Sequence, residues 1–324
     1  MTAAKNHADL VDRRFDFVFL FDVQDGNPNG DPDAGNLPRL DPQTLQGFVT
    51  DVCTKRKIRN AVAAIAGDRP GCSLYFQTQD AVYEKRILNR LHQGAHDALE
   101  TQGKWLPGDK PKDKAENTKN ARQWMCQEFF DIRTFGAVMT TGVNCGQVRG
   151  PAQITFARSI DPIVPMEIAI TRKSVTTDEE AEKQAKKDGS ITGTMGRKST
   201  ISYALYRGHG FINPLLAKDT GFTFGDLRLF FDAMVRMFDL DRSAARGLMA
   251  LRKVIVFEHS SALGNAPAHL LFDRVVVPEL GPEKPARKFA DYASGLTINR
   301  DNLPNGITVH ELPEQLDQLI APLA

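Results

Sequence analysis

Between Thr171 and Tyr203 the chain nearly runs out of apolar side chains, leaving TRKSVTTDEEAEKQAKKDGSITGTMGRKST. A stretch of this composition buries too little surface to offset the entropy of ordering it, so it must project from a body built by the rest of the chain. Thr177 is placed to cap a short helix within it, and the acids come first and the lysines last, as the helix dipole favours. The segments on either side, Ile163 to Ile170 and Tyr203 to Phe211, read as strands.

The body is legible in outline. Arg14 to Val23, RFDFVFLFDV, is rich in aromatic and β-branched residues and alternates in part, the pattern of a strand with one face in a core. A Gly, Asn, Pro and Asp loop follows from Asp25 to Pro38. Asp41 and Pro42 then offer an N-cap and an N1 proline for a helix expected over Gln43 to Ile65. Gly94 to Asn120, with Lys104, Lys110, Lys112, Lys114 and Lys119, predicts an exposed excursion outside the core, and Ala121 to Phe135 a helix that returns to it. Gln153 to Ile160 reads as a strand broken by Asp161 and Pro162, Phe224 to Phe238 as an amphipathic helix, and Val254 to Phe257 as a buried strand. Pro278 to Ala324 is rich in Pro, Gly and polar residues and predicts a peripheral segment. No linker and no internal repeat interrupts this interleaving. The chain is therefore expected to form one α+β domain over residues 1–324, with insertions at 94–120 and 171–202.

Charge gives no bulk signal: 41 Lys and Arg against 40 Asp and Glu leave +1, so any polyanion must be held by local patches. Cys53, Cys72, Cys126 and Cys145 show no CxxC spacing and are expected to be reduced thiols in a cytoplasmic protein. His7, Asp9, Asp12, Arg13 and Arg14 stand where a signal peptide needs an apolar core, and no apolar run is long enough to span a bilayer.

Two patterns suggest metals and neither completes a site. In DGNPNGDPDAGN, Asp25, Asn27, Asn29, Gly30, Asp31 and Asp33 fall where an EF-hand loop places its residues. Asn36 stands where the bidentate glutamate belongs, and the preceding segment is a strand, so a turn of Asx and glycine geometry is expected instead. His92 and His96 are spaced for one helix face, with no third ligand beside them, and are expected to be a solvated pair. Neither a nucleophile motif nor a P-loop occurs, so no catalytic residue, metal or cofactor is assigned.

Basic groups are better placed. Lys55, Arg56, Lys57 and Arg59 lie on the expected helix, and helical period sends Lys55, Arg56 and Arg59 toward roughly one side of it. The expected helix start near Arg39 and Gln43 offers backbone N–H groups to an anion. Arg149 follows a loop in which Gly142 and Gly146 admit a close sugar-phosphate chain and Asn144 and Gln147 can donate hydrogen bonds. On the arm, Arg172, Lys173, Arg197 and Lys198 flank a small-residue tip whose sizeable apolar side chains, Ile191 and Met195, have no core to serve and can wedge against bases or a neighbouring subunit.

Five segments, RFDFVFLFDVQDGNPNGDPDAGNLPR, VCTKRKIRN, DIRTFGAVMTTGVNCGQVRGPAQITFARSIDPI, TGTMGRKSTISYALYRGHGFIN and EHSSALGNAPAHLLF, in this order closely resemble the CRISPR-associated Cas7 family, in its type I-C branch. The likeness runs to about Val277. It implies a modified RRM-like, ferredoxin-type palm with finger insertions over 94–120 and a thumb over 171–202. It also implies a non-catalytic Cascade backbone subunit that polymerises head to tail along a CRISPR guide RNA and presents it to target DNA, beside Cas-five and Cas-eight type subunits and a small subunit. By the same resemblance Arg39, Gln43 and Lys55 to Arg59 grip the RNA backbone, the loop from Gly142 to Arg149 lines the groove, and the thumb reaches the next copy and splays a base. No RNP-type aromatic signature marks a strand, so stacking on the sheet face is not expected. Two alternatives stay open: an RNA-cleaving subunit of the type III kind, using Asp31 or Asp33 with a divalent ion, and a calcium-binding protein.

Overall fold

A computed structural model describes residues 9–76, 87–108, 110–188, 194–281 and 283–320. The N-terminal half runs β1 (Phe15–Gly26), β2 (Gln46–Val49), α1 (Asp51–Ala66), α2 (Leu88–Thr101), α3 (Pro111–Glu128) and α4 (Phe130–Phe135). There follow β3 (Gly136–Met139), β4 (Gly146–Arg149), β5 (Ala152–Ile154), β6 (Ala157–Pro162), β7 (Pro165–Arg172), α5 (Asp178–Asp188) and β8 (Thr194–Ile212). Last come α6 (Pro214–Thr220), α7 (Phe224–Leu240), β9 (Leu248–His259) and β10 (Ile307–Leu312), together with shorter pieces. One antiparallel sheet has the order β10, β9, β1, β8, β6, β2, with β5 and β7 also paired to β8.

β1 is central because both of its faces are apolar. Phe17, Phe19 and Phe21 meet α1 and α7 in the main core, with Phe230 and Phe231 edge-on to Phe17 at 5.9 and 5.5 Å. Val18 and Leu20 point the other way, so the strand is buried on two faces where the sequence pattern gives one. Gly208 and Gly210 of β8 make room for this packing, since a Cβ there would stand 2.2 and 2.0 Å from the Phe19 and Phe17 rings. α7 starts in a capping box, Thr223 with Asp226, and buries Leu227, Phe230, Phe231, Met234 and Met237, each worth about 1.5–3 kcal/mol on the usual scale.

The second face of the sheet is closed by the C-terminal segment. Leu271, Phe272, Val275 and Tyr292 cover Val18, Leu20, Ile255 and Phe257, β10 pairs with β9 from Val254 opposite Leu312 to His259 opposite Ile307, and Leu312, Leu316 and Leu319 enter the main core. Over its described residues the segment from Pro278 onward is thus not merely a peripheral flap: Tyr292 covers the sheet, Ile307–Leu312 is a sheet strand, and Leu316 and Leu319 enter the core.

Two further expectations change. The helix does not begin at Gln43, because the Asp41 carboxylate accepts from Gln43 N and Thr44 N to close a turn, β2 pairs with β6, and α1 opens at Thr50, whose Oγ1 accepts from Cys53 N. The excursion at 94–120 is also not outside all packing. α2 and α3 enclose a small core of their own, with Ala95, Leu99, Ala121, Met125 and Ile132.

The arm is a two-stranded ribbon. β7 and β8 pair from Arg172 opposite Thr194 to Pro165 opposite Ile201, and α5 sits at the outer end, capped by Thr177 as expected. Beyond Pro165, every residue of β7 is exposed. Among the described residues, no helix is long and apolar enough to cross a membrane.

Candidate nucleic-acid interface

The loop from Asp25 to Pro38 folds onto the start of α1. Asn29 Oδ1 accepts from Thr50 N and Thr50 Oγ1, both at 3.0 Å, which pins the loop to the N-cap residue of the helix. Arg39 lies 3.4 Å from Asp31, and its Nε is buried with no hydrogen-bond partner among the described residues. Gln43 is exposed on the turn at Asp41. The open helix terminus expected at Arg39 and Gln43 is therefore absent, and the two side chains stand eight or more residues ahead of the helix.

On α1 the helical period sorts the cations as expected, with one difference in kind. Lys55, Arg56 and Arg59 share a pocket of about 400 Å³ with Phe76, Phe135 and Gly136, whereas Lys57 is buried against Asp241 at 3.2 Å. Burial, with Arg246 beside it, lowers the Lys57 pKa. Lys55 is paired with Asp51 at 2.9 Å, and Arg56 is exposed, its Nε donating to Asn60. Arg59 is no solvated cation. Its Nε donates to Asp131 at 2.8 Å, and its guanidinium lies 5.1 Å from both the Phe76 and the Phe135 ring centroids.

Asp131, which nothing in the sequence marks, organises this wall. Its fully buried carboxylate also accepts Tyr75 N and Phe76 N, so one acid fixes α1 to the segment that carries Phe76. Nearby Arg133 binds Asp226 with two nitrogens, tying α4 to the start of α7. Buried acid-base pairs of this kind leave no trace in composition.

The hairpin of β3 and β4 completes the wall. Arg149 stands opposite Gly136, which lines the α1 pocket, and both Arg149 and Gln147 of this hairpin are exposed, though neither lines the pocket itself. Asn144 is exposed, but its Oδ1 accepts from Gly146 N at 2.9 Å and so shapes the turn. The expected His92 and His96 pair is not a pair. His92 is fully buried: Nδ1, 2.7 Å from the Thr141 carbonyl oxygen, must carry the proton, and Nε2 accepts from the Tyr75 hydroxyl at 2.9 Å. That hydroxyl is pushed up to about 12 by burial, with Cys145 and Asp131 adding to the shift.

Arm cations divide as well. Arg172 bonds Ser174 O, Thr176 and Thr194 and ties the outer end of the ribbon, while Lys173 is exposed. Arg197 is 81% exposed and 3.4 Å from Glu167; Lys198 reaches the Ala244 carbonyl. Met195 is 77% exposed, and Ile191 lies outside the described residues. The loop 241–247 links the two regions, since it holds Asp241 against Lys57 and Ala244 against Lys198.

A family model described as CRISPR-associated protein Cas7 matches residues 13–297. The chain belongs to the Cas7 family. A Cas7 protein of Haloferax volcanii is 29% identical over 127 residues, a match taking in 39% of this chain and 32% of that relative. The chain thus matches about a third of the relative's length. Among solved structures, a CRISPR RNA-guided surveillance complex in a pre-nicking state has TM-score 0.46 and 14% identity over 75% of this chain and 78% of that one. A type III-B Cmr-beta complex bound to cognate target RNA has TM-score 0.38 and 12% identity over 75% and 61%.

Two acid clusters remain in this Cas7-family chain. In the loop from Asp25 to Asn36, Asp31 accepts from Asp33 N and faces Arg39, and the carboxylates of Asp25, Asp31 and Asp33 do not converge. On α2, His96, Asp97 and Glu100 come within 4.8 Å of one another at the surface.

Proposed function

We propose that this Cas7-family protein is a non-catalytic backbone subunit of the type I-C kind, holding a CRISPR guide RNA by its phosphates for pairing with target DNA. The observation that carries the reading is the pocket that Lys55 and Arg56 share with Gly136, the residue opposite Arg149, where Arg59 is held by Asp131 and shapes the wall. Cations confined to one wall let a near-neutral molecule bind a polyanion, and phosphate contacts fix register without reading sequence. Sequence recognition is then left to base pairing.

The strand order β9, β1, β8, β6, with α1 and α7 on one face, supports an RRM-like palm; α2 and α3 are its fingers and the β7–β8 ribbon its thumb. The second sheet face is covered by Phe272 and Tyr292, so RNA lies beside α1 and not on the sheet. In this reading the thumb engages the next copy, and Cas-five and Cas-eight type subunits with a small subunit complete a cytoplasmic complex.

Affinity for single-stranded RNA across a salt series tests it. Lys55→Ala and Arg56→Ala each flatten the slope of log affinity against log salt by about 0.7, equally for unrelated sequences. A sequence-dependent loss counts against backbone gripping. Magnesium-dependent cutting of RNA, abolished by Asp31→Ala or Asp33→Ala, replaces the reading with the cleaving alternative.

A further inference from the structure

A second pocket, of about 360 Å³, lies away from α1, between the C-terminal segment and the outer strands β9 and β10 of the sheet. We propose that it docks an acidic peptide: a segment of a partner protein in which an Asp or Glu side chain stands next to an aliphatic one. This goes beyond the RNA-binding reading and does not depend on it.

The site begins with an irregularity in β9. Leu20 of β1 stands opposite Lys253 and Phe21 opposite Leu251, so Arg252 is an extra residue, a β-bulge. Leu251 and Val254 pack on the main core. Arg252 and Lys253, neighbours that a regular strand would send to opposite faces, are thereby left together on the other side. Arg252 pairs with Asp22 at 2.7 Å, and its guanidinium lies 5.2 Å from the Phe289 ring centroid. Lys253 lines the pocket beside Phe289. Re-aiming a side chain in this way is what bulges do at functional sites.

Charge decides what the pocket takes. Arg300 places Nη2 2.6 Å from Oε1 of Glu311, whose Oε2 accepts from the Lys253 ammonium. Two cations thus share one carboxylate, and the groups lining the pocket carry one positive charge in excess. Each cation has more N–H donors than Glu311 engages, and a second carboxylate can take them. Partly buried Leu296 and Ile298 supply an aliphatic floor for the residue beside that carboxylate. A nucleotide fits less well, because Phe289, the one ring lining the pocket among the described residues, already carries the Arg252 guanidinium. Glu311 lies on β10, the outermost strand, so an extended peptide can run along the rim of the sheet with its side chains in the pocket.

The test uses the full-length protein and a fluorescently labelled, end-blocked peptide Gly-Leu-Glu-Leu-Gly, followed by anisotropy. A dissociation constant below about 1 mM is expected. Replacing the peptide's Glu by Gln weakens binding about tenfold, as do Lys253→Met and Arg300→Met. Glu311→Gln removes the competing acid and tightens binding about threefold to fivefold, an outcome that a purely structural ion pair would not produce. Retention of RNA is the same for all three variants. The proposal is overturned if no binding is seen up to about 5 mM peptide, if the Glu and Gln peptides bind alike, or if Glu311→Gln weakens binding. It is also overturned if equimolar acetate or phosphate displaces the peptide (a simple anion site) or single-stranded DNA does so (a nucleic-acid surface). Loss of self-association in Arg300→Met would likewise overturn it, assigning the pocket to a second copy.

Discussion

On α1, Arg59 is wedged between two phenyl rings and held by a carboxylate with no access to water, whereas on the arm Arg197 leaves 81% of its side chain in solvent and meets Glu167 only at 3.4 Å. The two regions use the same residue type and differ in what surrounds it. In the body, a cation and its acid have both lost their water, so each depends on the other. On the arm, water screens both charges, and the pair contributes little to folding. A buried arginine shapes a surface, and an exposed one is available to bind something.

The contrast can be broken most severely at Asp131. Asp131→Ala strands Arg59 and two backbone N–H groups, and an unfolding free energy lower by about 3–5 kcal/mol is expected in urea titration. A loss below about 1 kcal/mol would mean that the pair is not as desolvated as its burial implies. The next largest effect is expected at Gly210. A methyl group there strikes the Phe17 ring, costing about 1–3 kcal/mol, while the matching change on the arm, Gly196→Ala, meets Ile170 no closer than 3.5 Å and stays within about 0.5 kcal/mol.

Proton uptake sharpens the comparison further. Burial, helped by Arg207, lowers His209 to about 4 from 6.5, so the folded state resists a proton that the unfolded chain accepts. The stability contribution is therefore present above pH 6.5 and lost as pH falls toward 4. Thermal melts over this range should show that fall, and His209→Asn should remove part of it. The smallest effect is expected for Met195→Ala, within about 0.5 kcal/mol of the parent in urea, because the side chain is 77% exposed. If Met195 serves contacts between copies, the same change is seen in assembly and not in folding.

The features that sequence reveals here are those set by local patterns. β1, α7, the Thr177 cap and the projecting arm follow from periodicity, capping chemistry and the absence of apolar residues. What it hides is set by distant partners. Asp41 and Pro42 make a sound local helix start, yet the pairing of β2 with β6 overrides it. β10 lies in a turn-rich stretch and gains its place only beside β9. Lys55, Arg56 and Arg59 share a face, as the helical period requires, but nothing local distinguishes the exposed Arg56 from the Arg59 that Asp131 claims across 72 residues.

β8 is at once the inner strand of the ribbon and a middle strand of the sheet, unbroken over 19 residues. At the usual rise it reaches roughly 60 Å, with no joint between Thr194 at the tip and Tyr206 in the core. The arm is a ruler and not a tether: whatever engages its end is held at a pitch dictated by strand geometry. Resetting that pitch takes residues added in pairs to both strands, roughly 7 Å for each pair.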